Sequence, residues 1–264
     1  MPTPAEEVLA KTILPTGLSS EEIRVQVPAE IRRRSFFSAR TAEAEYLAKA
    51  RQVCADVAAG KIGSGEARFR LERFLEECGY TRETGQTPGG VGAITDIGSV
   101  ARLDLIIDTQ RDMAHSVAML DAQTEANVEE FPAWRLVRYG ERDEPRDWNA
   151  RWAEAARQVN FEGVARNGDF VALKSSPIWE AIGAGAGNHK DTLGNPFPPF
   201  AFNSGMDWES VDRDECEAIG LAPDGKKPRR RSLEPVPADI KRAQKQLGPG
   251  WADKLDAWAR GEDA

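Results

Sequence analysis

The feature that most constrains the fold is a change of hydrophobic period in the middle of the chain. From Ile94 to Ala122, apolar residues such as Leu103, Ile107 and Val117 recur at helical spacing. From Trp134 to Tyr139, large apolar and basic residues alternate, which is typical of a strand. The two periods predict an α+β, mainly helical fold, in which a long core helix packs on a small β-sheet through a main core formed by Trp134, Leu136, Leu103, Ile107 and Val117.

Two shorter amphipathic stretches precede the long helix and predict a helical hairpin. The first, 41–59, carries its apolar stripe at Leu47, Ala50, Cys54 and Val57 and ends at Gly60. The second begins at Ser64, a candidate N-cap, and ends at Gly79. Its stripe is Ala67, Leu71, Phe74, Leu75 and Cys78. Later in the chain we expect a helix through Trp148 and Trp152, a strand at 170–174 and a small helix at 212–219.

The prolines and charges predict three parts of the chain. Residues 1–40, with four prolines, are expected to form an extended N-terminal arm. Residues 41–221 are expected to form the folded domain, in which 182–205 is a loop because it is too rich in Gly and Pro for a regular element. Residues 222–264 are expected to form a basic linker and a C-terminal amphipathic helix, so that both termini are extended arms that bind partners.

Composition limits the functions that are open to the chain. Its 264 residues have a formal net charge of −8, so the surface as a whole repels phosphate backbones and DNA affinity requires a local basic patch. Cys54, Cys78 and Cys216 lie far apart, which favours synthesis in a reducing cytoplasm over a disulfide framework. No signal peptide and no run of about 18 apolar residues is found, so we expect neither export nor a membrane partner.

A catalytic interpretation has little support in the sequence. His115 lies beside the stripe of the long helix and predicts a structural hydrogen bond. His189 follows a Gly-rich run, 183–188, that lacks the Lys-Ser/Thr step of a phosphate-binding loop and predicts a flexible loop. Paired carboxylates occur at Asp104 with Asp108 and at Glu129 with Glu130, where solvated faces are expected. We therefore expect no enzymatic activity, no cofactor, and no catalytic or metal-binding residues.

Four sets of residues are candidates for partner binding, each with a plainer alternative. The sets are Arg32, Arg33, Arg34, Phe36 and Phe37; Phe197, Phe200, Phe202 and Trp208; Lys226, Lys227, Arg229, Arg230 and Arg231; and Trp251, Leu255 and Trp258. The basic runs suit DNA or an acidic partner, but are equally typical of a solvated linker or terminus. The aromatic loop either caps the core or forms a subunit interface. The C-terminal stripe either docks in a groove of another subunit or folds back on its own core.

Several segments, taken in order, resemble the head-morphogenesis family of bacteriophages, the Mu F-like minor head proteins. They are Gly92-Ala-Ile-Thr-Asp-Ile-Gly98, the helix from Arg102 to Ala114, Phe131-Pro-Ala-Trp-Arg-Leu-Val-Arg-Tyr139, Lys174-Ser-Ser-Pro-Ile-Trp179, and the Pro-Pro loop from Asn195 to Trp208. The resemblance covers roughly residues 36 to 221. The chain departs from the family where many relatives have an Arg-x-x-His and a His-Pro-x-Cys-Arg-Cys loop, since Arg146-Asp-Trp148 and Phe200-Ala-Phe202 stand there.

The resemblance implies a low-copy virion component of the head, made in the bacterial host cytoplasm. It implies partners among the portal protein and the capsid or scaffolding proteins, and a role in head assembly or genome delivery. One alternative is a neck or head-completion protein that contacts packaged DNA through its basic segments. Another is the leader domain of a phage-borne toxin with enzymatic activity. Only about forty residues follow Leu221, which we expect to be too few for a separate catalytic domain.

Overall fold

The computed structural model describes most of the chain and confirms a mainly helical α+β fold. It describes residues 3–27, 29–80, 90–140, 146–161, 164–166, 169–186 and 189–228, with only the backbone at Glu30 and 164–166. Within these ranges the chain forms ten helices and six strands. The chain divides into two compact units. The N-terminal unit has its described residues from Thr3 to His115, and the C-terminal unit from Ser116 to Pro228.

The first forty residues are folded where the structure describes them, so the prediction of an extended arm is wrong for this part. The elements are α1 (Pro4–Leu9), β1 (Thr12–Ile13), α2 (Ser20–Gln26), α3 (Ala29–Arg34) and β2 (Ser35–Phe36), with β1 and β2 paired in parallel. Thr3 with Glu6 and Ser19 with Glu22 form capping boxes, in which each side chain bonds the other residue's backbone N–H. These Ser/Thr-x-x-Glu patterns are signals from which α1 and α2 could have been predicted.

The predicted helical hairpin is confirmed as α4 (Ala44–Ala58) and α5 (Ser64–Glu77). Gly60 ends the first helix in the left-handed region, with φ of 69°. Two details of the prediction are wrong. The N-cap of α5 is Gly63, and the Ser64 hydroxyl instead lies 3.4 Å from a carboxylate oxygen of Asp108. Cys78 is exposed and takes no part in the core.

The long helix is confirmed as α6 (Val100–Asp121), but the single core predicted around it is not found. Leu103 and Ile107 are fully buried in a core cluster of the N-terminal unit that also contains Leu47 of α4 and Leu71 of α5. Val117, Trp134 and Leu136 are buried as well, but all three belong to the C-terminal unit. The residues expected to form one core are therefore divided between two units.

The C-terminal unit is a four-stranded antiparallel sheet with short helices. Its elements are α7 (Glu125–Glu130), β3 (Ala133–Arg138), α8 (Trp148–Val159), β4 (Val164–Arg166), β5 (Asp169–Leu173), α9 (Ile178–Ala184), β6 (Met206–Val211) and α10 (Arg213–Ala218). The strand order is β4-β5-β3-β6. The sequence predicted β3, β5, α8 and α10, whereas α7, β4, α9 and β6 were missed. In the described part of the chain, no helix is both long and apolar enough to cross a membrane.

Strand alternation gives the central strand β3 two different faces. Trp134 and Leu136 point to one side of the sheet, where Leu136 is in register with Phe170 of β5 and Trp208 of β6. Ala133 points to the other side and joins a small cluster with Val171, Val211, Cys216 and Leu221. The first face carries most of the aromatic residues of this unit.

Candidate partner-binding site

Three tryptophans from separate segments form the centre of the C-terminal unit. The rings of Trp134 (β3) and Trp208 (β6) are stacked, with centroids 3.8 Å apart and planes 8° apart. Trp179 (α9) stands nearly perpendicular to both, at 71° and 74°, and its indole N–H donates to the carbonyl of Leu173 at 3.0 Å. Stacked and edge-to-face pairs are the favourable arrangements of aromatic rings, so these contacts fix the relative positions of β3, β6 and α9.

The aromatic loop is packed inside its own unit. Phe197, Phe200 and Trp208 are buried, and Phe202 is half-buried. Phe200 is stacked against Trp179, with centroids 6.2 Å apart. Of the two possibilities left open by the sequence, the loop therefore caps the core. The rings of Phe197, Phe200 and Trp208 are therefore covered, whereas for the half-buried Phe202 a place in a subunit interface stays a prediction.

A close backbone approach explains part of the Gly-rich run. Gly183 lies in α9, and a Cβ atom at this position would stand 1.6 Å from the carbonyl oxygen of Asn195. The Gly183 carbonyl also accepts a hydrogen bond from the N–H of Gly194 at 2.9 Å. Gly185 ends α9 in the left-handed region, with φ of 82°. The glycines at 183 and 185 thus serve helix packing and termination, and the expectation of a flexible loop is wrong for them.

Two arginines hold the segment that leads into the aromatic loop. The guanidinium groups of Arg146 and Arg151 both pair with the carboxylate of Asp191. Arg146 also donates to the carbonyl oxygens of Phe202 and Asn203, at 2.6 and 3.2 Å. Burial alone would raise the pKa of Asp191, but the hydrogen bond and charge of Arg151 and the charge of Arg146 outweigh it, so the pKa is lowered. This carboxylate therefore stays ionised and keeps the segment in place.

Arg135 is the polar centre of the opposite sheet face. Its guanidinium donates to Asp169 of β5 at 2.7 Å and also pairs with Glu215 of α10. The hydrogen bonds that Arg135 donates to these two carboxylates raise its pKa. The network ties β3, β5 and α10 together beside the small cluster around Cys216.

A cleft between α7 and α10 is the candidate partner-binding surface. Its volume is about 550 Å³, and it is lined by Ala126, Glu129, Glu130, Phe131, Asp212, Arg213 and Asp214. Arg213 donates to the backbone carbonyl of Glu129 at 3.0 Å, which links the two walls. The lining carries four carboxylates against one cation, with Phe131 as its apolar part. This chemistry suits a cationic segment of a partner better than an anion.

The edge strand β6 is an unfavourable site for adding a strand from a partner. The backbone N–H of Met206 bonds the Ser204 hydroxyl at 3.2 Å, and that of Trp208 bonds the Asp207 carboxylate at 2.8 Å. Side chains of the same segment therefore satisfy these two donors. A partner strand would have to displace them, and proteins protect sheet edges in comparable ways.

The predicted N-terminal docking residues lie within the folded N-terminal unit. Phe36 is fully buried in its core cluster, and Arg33 is also buried. Phe37 packs against a second small cluster formed by Leu14, Ile23, Val27 and Ile31. The docking interpretation is therefore wrong for Phe36 and Arg33, because both side chains are buried. For Arg32, Arg34 and Phe37, which are partly buried, it stays a prediction.

The basic run near residue 226 is exposed where the structure describes it. The Lys226 and Lys227 side chains are 74% and 49% exposed. Their ammonium groups lie 3.8 Å from a carboxylate oxygen of Asp224 and 3.7 Å from one of Glu125. Arg229, Arg230 and Arg231 lie outside the described residues, as do Trp251, Leu255 and Trp258 of the C-terminal stripe.

Histidine and cysteine side chains are scattered through the structure. His115 is exposed, while His189 bonds Glu154 with its Nε2 atom at 2.9 Å. Cys54 and Cys216 are buried, and burial raises the pKa of the Cys54 thiol to about 12. Among the described residues, no group of three or more His, Cys, Asp or Glu side chains is arranged to hold a metal ion. The carboxylates Asp104 and Asp108 are paired with Arg68 and Arg111, respectively.

Lys174 was missed as a candidate site, although it is the last residue of the strand predicted at 170–174. The residue is 2% exposed, and its Nζ atom donates to Gln123 Oε1 at 2.7 Å and to Asn127 Oδ1 at 3.0 Å. The same group lies 5.6 Å from the ring centroid of Trp134. Local sequence offered no signal for this burial, because lysine at a strand end is usually exposed.

Comparison with known proteins provides no relative for this chain. No protein-family description, no curated protein and no solved structure matches it.

Proposed function

We propose that the chain is a bacteriophage minor head protein of the Mu F-like kind, a low-copy component of head assembly or genome delivery rather than a catalyst. The observation that carries the proposal is that three of the segments that resemble the family lie in contact with one another in the fold. Trp134 of the Phe-Pro-Ala-Trp-Arg segment, Trp179 of the Pro-x-Trp segment and Trp208 of the Pro-Pro loop are mutual neighbours. Residues that define a family by their order along the chain are expected to share one core.

A fourth segment of the resemblance has an equally specific structural part in the N-terminal unit. Asp96, in the Gly92 to Gly98 segment, accepts hydrogen bonds from the backbone N–H groups of Gly92 and Gly98 at 2.8 and 3.1 Å, and from the Tyr80 hydroxyl. This carboxylate organises the turn that leads into α6. This role of Asp96 supports a structural rather than a catalytic function for the residues of the segment.

The surface chemistry of the C-terminal unit suits assembly contacts. The α7–α10 cleft presents carboxylates on short helices held by Arg213 and by the Arg135 network. A preformed surface loses little conformational entropy when it binds, which favours specific docking. The partners we propose are the portal protein and the capsid or scaffolding proteins, with a cationic segment of one of them in the cleft.

The decisive experiment is analysis of purified phage particles produced from the genome that encodes the chain. We expect mass spectrometry to detect the chain in heads separated from tails, at a few copies per particle. Deleting its gene should give heads that are defective in assembly or in DNA delivery. Its absence from heads, together with normal infectious particles after the deletion, would falsify the proposal.

A second candidate function is that of a neck or head-completion protein that contacts packaged DNA. The observation in its favour is the exposure of Lys226 and Lys227, whose carboxylate partners lie at 3.7 Å or more. Exposed ion pairs of this kind contribute about 0–1 kcal/mol. A phosphate backbone therefore competes readily for these two cations.

A further inference from the structure

The surroundings of Lys174 match a neutral amine better than an ammonium ion. A neutral amine has two N–H donors, and the two side-chain acceptors here are Gln123 Oε1 and Asn127 Oδ1. An ammonium ion has a third N–H, for which the described residues supply no further hydrogen-bond acceptor. The face of the Trp134 ring lies 5.6 Å from the nitrogen, and a cation–π contact at that distance compensates only part of the lost hydration.

No carboxylate of the described residues lies within ion-pairing distance of this amine. The charged groups on neighbouring segments are Asp121 near the end of α6, Glu125 on α7, and Asp224, which bonds the adjacent Ser175 hydroxyl at 2.7 Å. Glu125 is 90% exposed and faces Lys227. A buried cation with neutral partners is costly, and the cost disappears when it loses its proton.

We propose that Lys174 is a pH-sensitive latch that holds α7 and the end of α6 against the sheet, tight as a neutral amine and looser as an ammonium ion. The latch joins three pieces of the C-terminal unit: Gln123, two residues beyond the end of α6, Asn127 on α7, and Lys174 directly after β5. Its operation does not depend on the head-assembly function.

The sign of the pH effect follows from burial. Burial lowers the pKa of Lys174 to about 8, whereas an opened, solvated lysine keeps its ordinary value of 10.5. Between pH 7 and pH 9 the opened form therefore binds more protons than the closed form, and raising the pH favours the closed form. These two pKa values correspond to an opening equilibrium about tenfold smaller at pH 9 than at pH 7.

Hydrogen exchange of the full chain, corrected for intrinsic rates, tests the latch. We expect the protection of the α7 amides to rise about tenfold from pH 7 to pH 9 in the wild-type protein. In Lys174→Met, which cannot titrate, this rise should vanish. The matched control is Lys11→Met, because Lys11 is also buried, bonds Gln110 at 2.5 Å and has its pKa lowered to about 8, but belongs to the N-terminal unit. The control should keep the full rise in α7.

Two outcomes overturn the latch. One is α7 protection that depends on pH equally in the wild type and in Lys174→Met. The other comes from titration of the Lys174 side chain in the wild-type protein, followed by carbon NMR. This measurement remains decisive if the variant does not fold. A midpoint near 8 supports the latch, whereas a midpoint near 10.5 shows that the amine is not held in the closed site.

Discussion

At the scale of a single residue, Gly183 is the position where the smallest change should have the largest effect. Gly183→Ala places a methyl group 1.6 Å from the carbonyl oxygen of Asn195, so backbone must move. We expect the free energy of unfolding to fall by roughly 1–3 kcal/mol or more, as for other overpacked sites. Urea denaturation followed by tryptophan fluorescence measures the change, because the affected helix α9 carries Trp179.

Gly65→Ala is the matched control for this prediction. Gly65 lies in the exposed first turn of α5, and nothing stands within 4 Å of a Cβ atom built there. Replacing a helical glycine with alanine in open space should stabilise the protein by up to about 1 kcal/mol. Equal effects at positions 183 and 65 would contradict the close approach of α9 to the loop.

At the scale of the secondary-structure elements, the stability of the sheet depends on the central strand β3. Trp134→Ala removes the ring that stacks on Trp208 and contacts Trp179, and should lower the free energy of unfolding by about 3–5 kcal/mol. Tyr139→Ala, just beyond the same strand, removes a ring that is 70% exposed and should change it by less than about 0.5 kcal/mol. Calorimetry of both variants measures the contrast. An unchanged melting temperature for Trp134→Ala would refute the aromatic core.

At the scale of the whole molecule, a net charge of −8 makes any DNA affinity depend on a local basic segment. The neck-protein candidate predicts salt-sensitive binding to duplex DNA. Replacing both Lys226 and Lys227 with alanine should reduce the slope of log affinity against log salt by about 2, since each lost phosphate contact contributes about 0.9. Fluorescence anisotropy at several salt concentrations measures the slope.

Lys61→Ala provides the control for charge alone. Lys61 is 68% exposed and pairs with Asp56 at 3.4 Å, so it resembles Lys226 but lies outside the basic run. This variant should leave the slope unchanged. DNA binding that is undetectable at low salt, or equally reduced in all variants, would eliminate the neck-protein candidate.

The sequence by itself determined those elements whose hydrophobic pattern is long and local. The stripes of α4, α5 and α6 and the alternation of β3 report which face of each element is apolar, and the structure confirms these elements. The Ser/Thr-x-x-Glu patterns at Thr3 and Ser19 also carry local information about α1 and α2, which a prediction from the nearby prolines alone does not use. Elements as short as β6, beside a proline-dense loop, have too few residues for their period to be recognised.

Only the tertiary structure decided which apolar and charged groups lie inside, because burial depends on contacts between distant segments. The sequence placed Phe36 and Arg33 in an extended arm, whereas both side chains are buried in the folded protein. Lys174 becomes a candidate site only when Gln123 and Asn127 are brought to its amine. The tertiary structure also decided that the residues of the predicted core are divided between two units. Periodicity identifies the apolar face of an element but not the face against which it packs.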